Sequence, residues 1–172
     1  MMRYSMNFKE VFVTLEDELC NVNNYLLIQK TRFYDKFEVE LQIADEVREC
    51  LIPKMILQPL IENSFRHGFE YSTEEWILSI KSYLENERVI IIIKDNGVGI
   101  LPETLKEINK ILSVKEPQIN SESHIGLVNV NSRLKLHFSE EDGVTVTSVK
   151  GEGTQIRVTF KAKHREVENN GI

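Results

Sequence analysis

The residues of this chain best placed to do chemistry stand where an apolar run stops. Ile90-Ile-Ile-Ile-Lys-Asp-Asn-Gly-Val-Gly-Ile100 opens with four consecutive isoleucines, the pattern of a strand buried on both faces. It breaks at Asp95, Asn96, Gly97 and Gly99. A carboxylate at the mouth of a core is partly desolvated and offers only acceptor oxygens, and the local sequence gives Asp95 no donor side chain on its own face of the strand. Gly97 and Gly99 either let another group approach the backbone closely or take up positive φ. Asp-Asn-Gly is equally the composition of a plain strand-to-loop corner, so this stretch alone leaves both readings open. Asn63 is a second candidate: asparagine is a poor helix former, yet it lies beside the apolar stripe of a helical pattern. Glu62 and Arg66 on that pattern are spaced for a surface ion pair, and His67 follows them. Gly126-Leu127 opens a further helical pattern, and Gly151-Glu-Gly153-Thr154 precedes the last strand-like run.

The bulk numbers narrow the function classes. The chain has 172 residues, enough for one domain with a sizeable core and an extra helix. Hydrophobic residues make up 41% and charged residues 28%, as in soluble globular proteins. A net charge of -6 argues against nucleic-acid binding, which needs a basic face, but not against a nucleotide in a local pocket. Cys20 and Cys50 form no CxxC pair and join no His/Cys cluster with zinc spacing, which fits a reduced, intracellular chain. The start Met1-Met-Arg-Tyr-Ser-Met lacks the apolar core of a signal peptide, and no apolar run reaches the roughly 20 residues of a membrane span. The abrupt entry into a helical pattern fits a piece of a longer protein.

These residues need elements to position them. Residues 1–13 read as a loose arm or the end of an earlier helix. Thr14 reads as an N-cap, with Glu16, Asp17 and Glu18 in the first turn. Leu15, Leu19, Val22, Leu26 and Phe33 then mark an amphipathic helix over about 15–34, packed either on this domain or on another copy or a missing segment. Phe37–Ile43 alternates as a strand, and 45–50 is a polar connector. A helix over about 54–68 follows, interrupted by Pro59, which either kinks it or marks its true start, and closed by Gly68 as the residue past the last turn. Strands are expected at 76–84 and 88–95, joined by a turn at Glu85-Asn-Glu87. A short helix 102–112 follows, then a polar loop over 113–124, a helix 126–136, and strands 144–149 and 154–160. The order predicts an α/β two-layer sandwich: a mixed sheet covered by helices on one face, preceded by an N-terminal helix. Neither GxxxxGK[ST] nor GxGxxG occurs.

Taken together and in this order, four stretches resemble the ATP-binding domain of sensor histidine kinases, within the superfamily that includes DNA gyrase, a class of heat-shock chaperones and mismatch-repair ATPases. They are Leu57-Gln-Pro-Leu-Ile-Glu-Asn-Ser-Phe-Arg-His-Gly68, Asp95-Asn-Gly-Val-Gly-Ile100, Ile125-Gly-Leu-Val-Asn-Val-Asn-Ser-Arg-Leu134 and Gly151-Glu-Gly-Thr154. The resemblance covers roughly residues 50–162. The first and third stretches resemble the LytS/YesM-like branch in particular, and residues 19–34 look like the segment that follows its phosphoacceptor helix. The resemblance implies three parts: an N-terminal helical segment at 1–35, an ATP-binding catalytic domain of the Bergerat fold at 36–163, and a flexible tail at 164–172.

The resemblance also implies roles. Asp95 would accept a hydrogen bond from the adenine amine, with Thr154 supplying a hydroxyl nearby through water. Gly97, Gly99 and Ile100 would lie against the base. Asn63 would ligate Mg²⁺, a hard cation that keeps several waters. Arg66 or His67 would face the phosphates, as would the amides that open the helix at Gly126-Leu127. The loop 113–125 would act as a lid. In hydrolytic relatives a glutamate four residues before the asparagine activates water; here that position is Pro59. The expectation is therefore weak ATP hydrolysis and transfer to a protein acceptor, with Glu62 polarising the acceptor histidine. That acceptor sits in an Asn-Pro-His-Phe-like motif in the branch, and none occurs here; His67, His124, His137 and His164 read as non-acceptors. The implied partners are an acceptor segment of the same protein, a response regulator and a second copy, with no nucleic acid. The implied setting is a cytoplasmic domain of a protein held in the cell membrane. An anti-sigma-type serine kinase and a non-catalytic nucleotide-binding module of the same fold are the alternatives.

Overall fold

The computed structural model describes residues 11–34, 36–69, 75–114 and 125–165. The notional lid 113–125 and His124 fall almost wholly outside them. The chain begins with β1 (Phe12–Thr14) and passes directly into α1 (Leu15–Arg32). Thr14 makes a capping box: its Oγ1 accepts from the Asp17 N–H at 3.1 Å, and Asp17 Oδ2 accepts from the Thr14 N–H at 3.2 Å. The stretch read as a loose arm thus ends in a short strand.

β2 (Phe37–Ile43) has the bounds its alternation gives it. The polar connector contains one helical turn, α2 (Asp45–Arg48), and leads into β3 (Leu51–Pro53), which pairs antiparallel with β1. The next helix starts later than its apolar pattern suggests. α3 spans Leu57–Asn63, and a π-helical turn, Ser64–Gly68, continues it. Met55, at φ 57°, blocks an earlier start. Pro59 falls in the first turn of α3, where backbone N–H groups have no intrahelical acceptor to lose, so it neither kinks nor ends the helix. Gly68 is needed for space: a Cβ there would sit 3.0 Å from Asp95 Oδ1.

β4 (Trp76–Glu85) and β5 (Arg88–Asp95) form the expected hairpin. α4 (Pro102–Ser113) and α5 (Ile125–His137) follow, then β6 (Gly143–Val149) and β7 (Gly153–Lys161). The sheet order is β2-β4-β5-β7-β6, with β2 and β4 parallel and every other pair antiparallel. This is the mixed α/β arrangement expected from the sequence. β5 sits in the centre. Its Val89, Ile91 and Ile93 join the core, whereas on the other face Ile90 is buried, Ile92 half-buried and Lys94 exposed. The isoleucine run is therefore not covered evenly on both sides. Ile92 is flanked in register by Lys81 and Arg157, whose aliphatic stems can shield it.

α1 packs on this domain. Leu15, Leu19, Val22 and Leu26 belong to the core cluster. Between them Glu18 is fully buried and accepts the backbone N–H groups of Met55 (2.6 Å), Ile56 (2.9 Å) and Leu57 (3.0 Å). Those are donors that the start of α3 leaves unmatched, so a carboxylate on α1 caps α3. Burial pushes the Glu18 carboxyl above its ordinary range, against the opposing pull of these three bonds.

Candidate functional site

Asp95 is the last residue of β5 and only 4% exposed. Its Oδ1 accepts from the backbone N–H groups of Gly97 (3.0 Å) and Thr154 (3.2 Å), and its Oδ2 from the Ser64 hydroxyl (2.8 Å). Burial raises its pKa from the ordinary value, and the Gly97, Ser64 and Thr154 bonds pull the other way. The Gly97 N–H is local, two residues on, but the other two donors come from the start of β7 and the π-helical turn, which the local sequence could not show. Thr154 is the register partner of Asp95 across the β5–β7 ladder, so the sheet itself delivers one of them.

The two glycines after Asp95 do different work. A Cβ on Gly97 would overlap the carbonyl of Gly68, the same carbonyl that accepts from the Val98 N–H at 2.8 Å. Gly99 has φ 64° and lies against the backbone of Val149. The corner is a backbone-to-backbone closure that no side chain fits.

In front of Asp95 opens a cleft of about 280 Å³. Its polar end is Asp95, Ser64 and Thr154, and Ile100, Ile108, Leu127, Val146 and Ile156 give apolar walls. Asn63, His67, Lys150 and Thr104 also line it. A flat, largely apolar ring carrying an amine fits such a slot: the walls take the faces and Asp95 takes the N–H. Oδ1 already has two donors, whereas Oδ2 has one and keeps room for another.

Asn63 adds the second signal. Its Nδ2 is buried and has no hydrogen-bond partner. An orphaned buried N–H costs about 1–3 kcal/mol and calls for an acceptor that the protein does not supply. Among the described residues no group of three His, Cys, Asp or Glu could hold a metal. A lone amide oxygen is nevertheless a fitting protein ligand for Mg²⁺, which takes most of its shell from phosphate and water.

Of the residues singled out from sequence, the fold brings Asn63, His67, Asp95, Gly99, Ile100, Leu127 and Thr154 to one cleft. Gly97 stands behind it. Gly126, in the first turn of α5, lies near Pro59 and does not line the cleft. Glu62 and Arg66 line a different groove on the α1 side of α3, with Tyr25, Arg32 and Trp76. Sequence reasoning passed over Ser64, Thr104, Ile108, Val146, Lys150 and Ile156. Val146 and Ile156 are register partners on inward-facing positions, so strand alternation was a usable signal for both. Ser64 reaches the cleft beside Asn63 and His67 because positions i, i+1 and i+4 of a helix share one face, so helical spacing was a usable signal for it.

Comparison with known proteins bears on the same stretches. The model of the family described as histidine kinase-, DNA gyrase B-, and HSP90-like ATPase matches residues 51–164, and a histidine kinase model matches residues 1–37. The sensor histidine kinase YesM of Bacillus subtilis is 32% identical over 167 residues, 97% of this chain and 27% of that protein. The sensor protein LytS of Bacillus cereus is 32% identical over 162 residues, 93% of this chain and 26% of that protein. The chain thus spans about a quarter of the length of these relatives. In fold it is similar to the catalytic domain of the histidine kinase ThkA, at TM-score 0.60 and 10% identity over 90% of this chain and 99% of that one. It is also similar to the mycobacterial sensor histidine kinase MprB, at TM-score 0.56 and 16% identity over 90% of this chain and 98% of that one. With its main family model laid over the helix of Asn63, the strand of Asp95 and both glycine corners, the chain belongs to the histidine kinase-, DNA gyrase B- and HSP90-like ATPases.

Proposed function

We propose that this chain is the ATP-binding catalytic part of a two-component sensor histidine kinase. It transfers the γ-phosphoryl group of ATP to a histidine outside the chain, for relay to a response regulator. The observation that carries the reading is the meeting, in one apolar cleft, of the Asp95 acceptor and the unsatisfied Asn63 amide. Asp95 takes the adenine amine, and Thr154 fixes Asp95 from the neighbouring strand. Asn63 would hold Mg²⁺ through its amide oxygen, with His67 in the same cleft facing phosphate; of the residues opening α5, Leu127 lines the cleft. Mg²⁺ when bound neutralises phosphate charge, which is most of what phosphoryl transfer asks of a site.

In the transfer a new N–P bond forms at the acceptor imidazole while the bond from the γ-phosphorus to its bridging oxygen breaks, and ADP leaves. Glu62 polarises the acceptor imidazole from the outer side of α3. Pro59, in place of a water-activating carboxylate, keeps hydrolysis low.

We divide the chain at 1–35, the segment continuing from the acceptor helix, 36–163, the catalytic domain, and 164–172, a tail. The relatives' printed names support a full-length protein that senses a signal, and we place it in the cell membrane as a homodimer with this part on the cytoplasmic side. No described helix is itself long and apolar enough to cross a membrane. The histidine kinase match over 1–37 favours this reading over an anti-sigma-type serine kinase of the same fold.

The test is calorimetric titration with ATP and Mg²⁺, joined to transfer of labelled γ-phosphate to a supplied acceptor-helix fragment. The expected outcome is binding by the chain, label on the acceptor histidine alone, and a selective loss of Mg²⁺-dependent affinity in Asn63→Asp. Label on serine, or no nucleotide binding, overturns the reading.

A further inference from the structure

Glu62 faces away from the nucleotide cleft, yet it is not left to swing freely. Gln58 Nε2 donates to Glu62 Oε1 at 2.8 Å. Gln58 Oε1 in turn accepts from Asn21 Nδ2, also at 2.8 Å. The Gln58–Glu62 contact taken alone is an ordinary exposed pair four apart on a helix. What distinguishes this one is its third member, on α1, 37 residues upstream of Gln58 and partly buried.

A primary amide has an acceptor at one end and a donor at the other. Glu62 can only accept, so it takes the nitrogen end of Gln58, and Asn21 donates to the oxygen end that is left. Released from Asn21, the Gln58 amide loses the partner that anchors its far end and is free to swing away from Glu62. The spacing of α1 and α3 is fixed close by: Glu18, three residues before Asn21 on the same face of α1, caps the N–H groups of residues 55–57, and Gln58 is the next residue on α3. The buried cap sets the distance, and Asn21 anchors the oxygen end of the Gln58 amide.

We propose that Asn21 and Gln58 are positioning residues for Glu62, and that Asn21 anchors the Gln58 amide so that a donor holds the Glu62 carboxylate toward the groove between α1 and α3. This rests on the reading of Glu62 given above. The relay makes the aim of Glu62 depend on how α1 sits against α3. Tyr25 and Arg32 of α1 and Arg66 of the π-helical turn line the same groove but do not stand between Gln58 and Glu62.

The experiment measures autophosphorylation of the full-length protein against ATP concentration for Glu62→Gln, Gln58→Leu, Asn21→Leu and Asn21→Asp. Glu62→Gln tests the underlying role and is expected to slow the reaction most. Gln58→Leu is expected to lower kcat about fivefold, the factor set by one net hydrogen bond of about 1 kcal/mol, with the KM for ATP unchanged. Asn21→Asp is expected to exceed Asn21→Leu in effect, because a carboxylate at 21 takes the nitrogen end of Gln58 and turns its oxygen toward Glu62; a plain loss of packing would give the opposite order. A slow Glu62→Gln beside wild-type kcat in Gln58→Leu and Asn21→Asp overturns this inference alone. Full activity in Glu62→Gln removes the role of Glu62, and the inference with it. A KM that rises as kcat falls marks damage to the nucleotide cleft and also overturns it. Asn21→Asp lies at a partly exposed site, so the question stays answerable if Gln58→Leu folds badly.

Discussion

Asp95→Asn separates what Asp95 does for the fold from what it does for the ligand. Oδ1 receives two backbone N–H groups, from Gly97 and Thr154, so the asparagine oxygen takes that place. The new amine then falls where Oδ2 was, 2.8 Å from Ser64 Oγ. A hydroxyl can accept as well as donate, so Ser64 turns its proton away and the contact survives. All three protein contacts are kept, and the apo fold should change by no more than about 1 kcal/mol. The ligand meets the opposite situation. The open lone pair on Oδ2 becomes an N–H, which faces the adenine amine donor to donor. Leaving such a group unpaired in a buried cleft costs about 1–3 kcal/mol, or about 5- to 150-fold in Kd. Titration calorimetry with ATP and Mg²⁺ reads that loss, and a thermal melt of the apo chain checks that the fold is intact. Inosine triphosphate, with an oxygen where adenine has its amine, should lose far less than ATP in the variant. Wild-type ATP affinity in a folded Asp95→Asn chain would refute the assignment of the base to this end of the cleft.

The same geometry fixes further outcomes. Burial raises the Asp95 pKa, so the folded chain takes up that proton at higher pH than the unfolded chain does. By linkage, acidification through this window favours the folded state through Asp95 while removing the ionised acceptor; ATP affinity measured against pH should fall above the ordinary carboxylate range, and Asp95→Asn should lack that limb. Gly97→Ala forces a methyl into the Gly68 carbonyl and should cost about 3 kcal/mol or more in denaturant melts, whereas Gly151→Ala, with φ 87° but open space around it, should cost only about 1 kcal/mol. Glu18→Ala strips the cap from three N–H groups, two of them buried, and should cost on the order of 3 kcal/mol; Glu18→Gln, which keeps an oxygen there, should recover part of that in the same melts.

Features whose cause lies within a few residues were legible in the sequence. The capping box of Thr14 and Asp17 is local. β2 carries strict alternation, and the β4–β5 hairpin has both arms and a polar turn. The helix over 57–68 was legible in kind but not in its start, because what sets that start comes from elsewhere. Its start is set by Glu18, which reads as one of three surface acids in a first turn until α1 is laid on α3. Its end runs into a π-helical turn at the Asp95 corner, and Asn63, Ser64 and His67 reach the cleft together while Arg66 goes to the other side, as helical spacing from Asn63 places them. β1 and β3 are three residues each, too short for any periodicity to show. Lys150 enters the cleft only because the β6–β7 turn folds back on Gly99.

The two ends of the cleft are built from different materials, and that division follows from the fold. The donors that hold Asp95 are backbone N–H groups placed by the sheet and by a turn that glycine alone permits, together with the buried Ser64 hydroxyl. None has to move when a base arrives, so the base end is preorganised and its selectivity costs little ordering. The other end relies on side chains of α3 and its π-helical turn. Asn63 keeps an unanswered N–H there, a standing penalty that a phosphate oxygen would remove. A site with a rigid, satisfied base end and an unsatisfied phosphate end binds the whole nucleotide by adding the second interaction to a geometry that the first has already fixed. The helix that carries the unsatisfied group is also the helix that α1 caps through Glu18.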